Sequence, residues 1–190
     1  NVQCNIVAHK PIQDRVDFAA DLADRWARLR RSTIADRKVV IVLANYPNRD
    51  GRLANGVGLD TPAGTVEVLR AMQSDGYSVR DIPTDGDALI DHLKAGPTNA
   101  VAVAREIRET ISLIQYKAFF DTLPKSIQLE VSNRWGPPEN DPFFKDGLFA
   151  LPLARFGETL VGIQPARGYN IDPKQSYHSP DLVPPHGYFA

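Results

Sequence analysis

The sequence predicts an α/β fold: a Rossmann-like βαβ core with a largely parallel sheet, additional helices, a C-terminal hairpin and an extended proline-rich tail. Three observations predict it. Residues 39–44 form a continuous, β-branched apolar run, the pattern of a strand in a parallel sheet covered on both faces. A helical stripe of Val66, Leu69 and Met72 follows, and then a second apolar run over residues 77–82. Strand, helix and strand in that order make one crossover unit, which is right-handed by the usual rule.

The other elements follow in order. Ile12, Val16, Ala19, Ala23 and Trp26 recur at helical spacing over residues 12–31, and Phe18, Leu22 and Leu29 widen the stripe. After the first strand comes a loop rich in glycine and asparagine that runs to Asp60. Thr61 as N-cap and Pro62 in the first turn predict a helix start there, and Gly76 its end. Thr84 or Asp85 caps a short helix through Leu93, stopped by Gly96-Pro97. A helical stretch from Thr98 carries Ile107, Ile111 and Ile114; Ser112 and Gln115 form a capping box inside it, so that either one helix or two helices broken near Ser112 fit the pattern. Pro124 opens a helix towards Trp135, and Gly136-Pro137-Pro138 ends it. Residues 148–156 and 159–164 are apolar runs joined around Gly157-Glu158, the signature of a hairpin. From Pro165 onward Pro165, Pro173, Pro180, Pro184 and Pro185 predict extended chain. The resulting organisation is an α/β domain over residues 1–164: N-terminal helix 1–37, βαβ unit 38–82, helices 83–135 and hairpin 148–164. A tail over residues 165–190 leads into a further region.

Composition narrows the function classes. A chain of 190 residues buries about 70% of its unfolded surface on folding and needs no covalent staples. A charged fraction of 24% with a net charge of −1 leaves no basic footprint for nucleic acid or an anionic membrane. No apolar run approaches the roughly 20 residues that span a bilayer. One cysteine, Cys4, excludes an internal disulfide framework and fits a reducing, cytoplasmic setting. A start at Asn1, with Met72 as the single methionine, reads as an excerpt of a longer polypeptide.

The long loop after the first strand is the first candidate site. Gly56, Gly58 and Thr61 approach a dinucleotide fingerprint, but that motif needs its first glycine directly after the strand, and residues 45–55 intervene. No Gly-x-x-x-x-Gly-Lys-Ser/Thr stretch occurs, so the chain is not expected to hydrolyse ATP. Two readings of the loop stay open. In one it is a solvated surface loop. In the other Asn45, Asn48, Arg49, Arg52 and Asn55, with glycine N–H groups and a helix start near Thr61, cradle an anionic substrate. Among the histidines, His9 and His92 stand alone. His178 and His186 lie eight apart in the tail with Asp172 and Asp181 nearby, a donor set that suits a divalent transition metal but matches no compact metal motif. No nucleophile elbow for a serine hydrolase is present.

Several strings carry a family resemblance. Leu43-Ala44-Asn45-Tyr46-Pro47-Asn48-Arg49-Asp50-Gly51-Arg52 is followed by Gly56-Val57-Gly58-Leu59-Asp60-Thr61-Pro62. Further on stand Gly96-Pro97-Thr98-Asn99-Ala100, Gly162-Ile163-Gln164-Pro165-Ala166-Arg167-Gly168-Tyr169 and Pro184-Pro185-His186-Gly187-Tyr188. Together these resemble the large, CobN-type subunit of aerobic cobaltochelatase, and more distantly the large subunit of magnesium chelatase. The resemblance covers residues 38–190 and, less closely, the first helix. It implies a much longer subunit that binds a corrin, hydrogenobyrinic acid a,c-diamide, and receives Co²⁺ as substrate during cobalamin synthesis. It also implies two AAA+-type partner subunits that use ATP and Mg²⁺.

Metal insertion requires that the macrocycle be held, its pyrrolic protons be removed and the metal be delivered. Under the resemblance His186 and His178 become the candidate proton acceptors, supported by Asp172, Asp181 and Glu158, with the same histidines and aspartates as metal candidates. Arg167 and Tyr169 become candidates to grip a carboxylate and cover a ring face. A non-catalytic assembly module that docks the ATPase partners is the competing reading, and visible-band shifts with a corrin separate the two. An independent nucleotide- or sugar-phosphate-binding enzyme is the third, and tight nucleotide binding is its signature.

Overall fold

The computed structural model describes residues 9–45, 50–100, 106–169 and 182–190. Two small sheets and their helices form two adjoining hydrophobic clusters. The α/β class expected from sequence is observed, with the helices and strands arranged differently in several places.

Helix α1 spans Gln13–Arg31 and buries none of its residues. Strand β1, Val39–Leu43, alternates: Val39, Ile41 and Leu43 turn toward the core, while Val40 and Val42 are 56% and 58% exposed. The expectation of cover on both faces therefore fails, because α1 does not pack over the outer face. Helix α2, Thr61–Ser74, is capped not by Thr61 but by Asp60, and the Asp60 Oδ1 accepts from the Ala63 N–H at 3.1 Å. Asp85 does the same for α3, Gly86–Ala95, at 2.8 Å. Helices α2 and α3 pack on the inner face through Val66, Leu69, Leu89 and Leu93, against Leu43, Phe156, Val161 and Ile163.

The expected second strand at residues 77–82 does not form. Its backbone is used locally and at a turn. Tyr77 N–H closes α2 on the Met72 carbonyl, Gln73 Nε2 donates to Val79 O, and Ser78 O accepts from the Glu158 N–H. Gly157 makes that last contact possible, since a Cβ there would collide with the Ser78 carbonyl and its φ is +70°. The parallel partner of β1 is a later strand, β6, Thr159–Ile163. Among the described residues parallel pairing is confined to that pair, and the sheet order is β1-β6-β5, with β5, Leu153–Phe156, antiparallel to β6.

The second sheet is antiparallel, order β2-β4-β3, from β2 (Glu109–Ser112), β3 (Phe144–Lys145) and β4 (Leu148–Leu151). Two expectations change here. Residues 109–112 are strand rather than helix, and helix α4, Leu113–Phe120, begins where the predicted capping box places it: Ser112 and Gln115 cap reciprocally. The apolar run 148–156 is divided by Pro152, which has no N–H for a ladder; β4 and β5 consequently belong to different sheets. Helix α5, Lys125–Trp135, ends at Gly136 as expected. Residues 182–190 fold back rather than trailing. A short helix, α6 (His186–Phe189), packs on α4 and α5, and Trp135 Nε1 donates to Val183 O at 2.8 Å.

Candidate functional site

Three loops meet at the carboxyl ends of the parallel pair, the position where open α/β sheets gather ligands. Gln164 N–H donates to Leu43 O at 2.8 Å and so continues the ladder past the last paired residues. The loop after β1 is drawn back by Ala54, whose N–H donates to Ala44 O at 2.8 Å, and is held down by buried Leu53 and Ala54. Thr98 Oγ1 donates to Asp50 Oδ1 at 2.7 Å. Asn99 ties in the third loop, donating from Nδ2 to Gln164 O at 2.9 Å and accepting at Oδ1 from the Ala166 N–H at 3.0 Å. Loops this far apart in sequence are thus stitched by backbone, side-chain and mixed hydrogen bonds.

Within this knot Asn45 is only 3% exposed, and neither its Oδ1 nor its Nδ2 has a hydrogen-bond partner among the described residues. Each unmet buried polar group costs about 1–3 kcal/mol. Arg52 and Asn55 are exposed on the same loop, and Arg167 is half-buried on the loop after β6. Asn48 and Arg49 lie outside the described residues.

The tail candidates divide. His178, Asp172 and Asp181 lie outside the described residues. His186 is 1% exposed, in an aromatic cage of Tyr116 and Phe120. Its Nε2 donates to Gly136 O at 2.9 Å, which fixes the proton on that nitrogen, and Nδ1 lies 2.6 Å from the Tyr116 hydroxyl as its acceptor. With both nitrogens engaged, the ring as placed has no lone pair for a metal or a substrate proton. Next to it, Asp141 accepts from the Phe143 N–H, the Gly187 N–H and the Tyr169 hydroxyl at 2.9, 2.7 and 3.1 Å. Gly187 has no room for a side chain, since a Cβ would stand 2.8 Å from both Asp141 Oδ1 and Tyr169 Oη. Burial pushes the Asp141 carboxyl above its ordinary value, against the pull of those bonds. Burial and the Asp141 charge likewise raise the Tyr116 and Tyr169 hydroxyls, so both stay protonated. Tyr169 packs against the second core, with its hydroxyl on Asp141.

Glu158 stands at the start of β6, the opposite end from the loop knot, and is not brought to it. His92 rests on Phe156 at 5.7 Å, with its pKa lowered first by burial and then by Arg108. Among the described residues no group of three or more His, Cys, Asp or Glu side chains could hold a metal ion, and no helix is long and apolar enough to cross a membrane. Sequence reasoning did not assign roles to Asn99, Thr98, Tyr116 or Asp141. The first two stand in one of the quoted strings, whereas Tyr116 and Asp141 carry no local signal.

The CobN/Magnesium Chelatase family model matches residues 1–190, the whole chain. The chain belongs to that family. It is 71% identical over 189 residues to the aerobic cobaltochelatase subunit CobN of a Sinorhizobium species, covering 100% of this chain and 15% of that protein. Identity to the Pseudomonas aeruginosa CobN subunit is 47%, over 99% of this chain and 15% of that protein. Among solved structures, the catalytic subunit of cobaltochelatase from Mycobacterium tuberculosis matches with a TM-score of 0.72 and 37% identity. That match covers 90% of this chain and 14% of the solved one. The chain thus spans about 15% of the length of these CobN relatives.

Proposed function

We propose that this chain forms part of the tetrapyrrole-binding region of a cobaltochelatase large subunit, which inserts Co²⁺ into hydrogenobyrinic acid a,c-diamide. Cobalt is a substrate in this reading. ATP and Mg²⁺ are used by two AAA+-type partner subunits in the cytoplasm, and the 190 residues alone turn over neither ATP nor corrin. The observation that carries the reading is the buried Asn45 amide at the carboxyl end of the parallel pair, which has no hydrogen-bond partner among the described residues. An amide offers two donors and an acceptor, and a macrocycle edge bearing carboxylates and carboxamides offers the complement. Arg52, with Arg49, Asn55 and Arg167, supplies charge and further donors around it.

His178, Asp172 and Asp181 are the candidates for accepting pyrrolic protons and handling cobalt, on residue chemistry. His186 acts through position. Sealed between Tyr116 and Gly136, it anchors the chain that follows those three residues.

The test uses the full-length subunit. Corrin binding is followed by its visible bands in wild type and in Asn45→Ala and Arg52→Ala. The expected result is a dissociation constant raised about tenfold or more for Asn45→Ala, since 1.4 kcal/mol corresponds to a factor of ten. Unchanged affinity in both folded variants favours the assembly-module reading and overturns this one.

A further inference from the structure

Strand β1 closes the first sheet on one side. Its end bonds fix the phase of its pairing with β6: Val39 N–H donates to Glu158 O at 3.3 Å, and Leu43 O accepts from Gln164 N–H at 2.8 Å. In a parallel ladder, alternate residues of a strand turn both backbone groups to the same neighbour. Val39, Ile41 and Leu43 therefore face β6. Val40 and Val42 direct N–H and C=O the other way, where no strand of the described residues pairs with them. Their side chains are exposed as well.

This edge lacks the usual protection. Natural edge strands are guarded by inward charge, proline, a bulge or a covering element. Val39–Leu43 reads Val-Val-Ile-Val-Leu, with none of these within it. Around it Trp26, Leu29 and Ile34 are exposed, and a cleft of about 1140 Å³ is lined by Trp26, Leu29, Val39 and Val40 together with the cationic Arg30, Arg31, Arg37 and Lys38.

We propose that a β-strand from the subunit's polypeptide outside these 190 residues pairs with β1 through the Val40 and Val42 backbone groups. Its side chains on the open face are apolar, matching Val40 and Val42 across the new pair. Two observations select the same chain as the source. The CobN relatives carry most of their length outside this segment, since it spans 15% of them. A strand of the same polypeptide also occupies the edge permanently, at an effective concentration in the millimolar range. A reversible partner leaves this strand of five aliphatic residues open whenever it departs, which invites aggregation. The proposal goes beyond macrocycle binding and does not depend on it.

Amide hydrogen exchange of the full-length subunit, resolved to single residues of β1, tests it. The expected result is protection at Val40 and Val42 comparable to Ile41, independent of protein concentration and without any added partner. Rapid exchange at Val40 and Val42 beside slow exchange at Ile41 and Leu43 overturns it. So does protection that grows with concentration, which means a second copy, or that requires another protein. Val42→Pro supplies the second reading. It removes an outward N–H and no bond to β6, and proline is tolerated at a solvent-facing edge. In the full-length subunit Val42→Pro should release the Val40 amide at least tenfold; unchanged exchange at Val40 in that variant overturns the proposal.

Discussion

Asp141 shows how much of the second core hangs on one side chain. Three donors converge on it from the turn before β3, the loop after β6 and the start of α6. Asp141→Asn keeps the shape but sets an NH₂ against donors, and a hydrogen bond to a charged group is worth about 1.5–3 kcal/mol. Urea unfolding of the chain should show a loss of that size. The pH dependence has a definite sign. Burial makes the folded chain hold the Asp141 proton more tightly than the unfolded chain does. The stability this contributes is full below the ordinary value of 3.8 and is lost as pH rises through the elevated folded value. Wild type minus Asp141→Asn, measured across that window, should decline with pH; a flat difference contradicts the assignment. At this scale the sequence was partly legible. Asn45 could be named as one of several loop amides, but its burial could not be read, since that depends on loops brought from residues 98–99 and 164–166. That His186 is sealed could not be read, because its two partners lie 70 and 50 residues away.

At the scale of elements, legibility follows the range of the interaction that sets each boundary. Asp85 and the Ser112–Gln115 box act over three residues, and both operate as the sequence spells them. Ser112→Ala should therefore cost about 1 kcal/mol, the usual worth of an N-cap. Gly157→Ala should cost clearly more in the same unfolding assay, since the new Cβ meets the Ser78 carbonyl. If the two variants are equal, the turn is looser than described. Strand assignments fared worse for a physical reason. Residues 77–82 have strand composition, but their backbone groups are bonded to α2 and to the hairpin turn before any ladder can claim them. Residues 109–112 carry Ile111 at helical spacing from Ile107 and Ile114, yet pairing with β4 overrides that period. Pairing partners are chosen by the whole chain, and no window of residues contains them.

At the scale of the molecule, two cores meet at Pro152, where β4 of one sheet passes into β5 of the other. The first core was the more legible, since three of its parts, β1, α2 and the hairpin, stand out by periodicity. The second is assembled from short strands, aromatic residues and a returning terminus, and only its helices announce themselves. The pairing of β1 with β6 has a consequence in time. Val39 pairs with Thr159, 120 residues later. A ribosome adding about 5–20 residues per second leaves β1 without that neighbour for roughly 6–24 s. During that interval the nascent chain holds a bare strand of five aliphatic residues, so a chaperone arriving at the exit tunnel should find its binding stretch at Val39–Leu43.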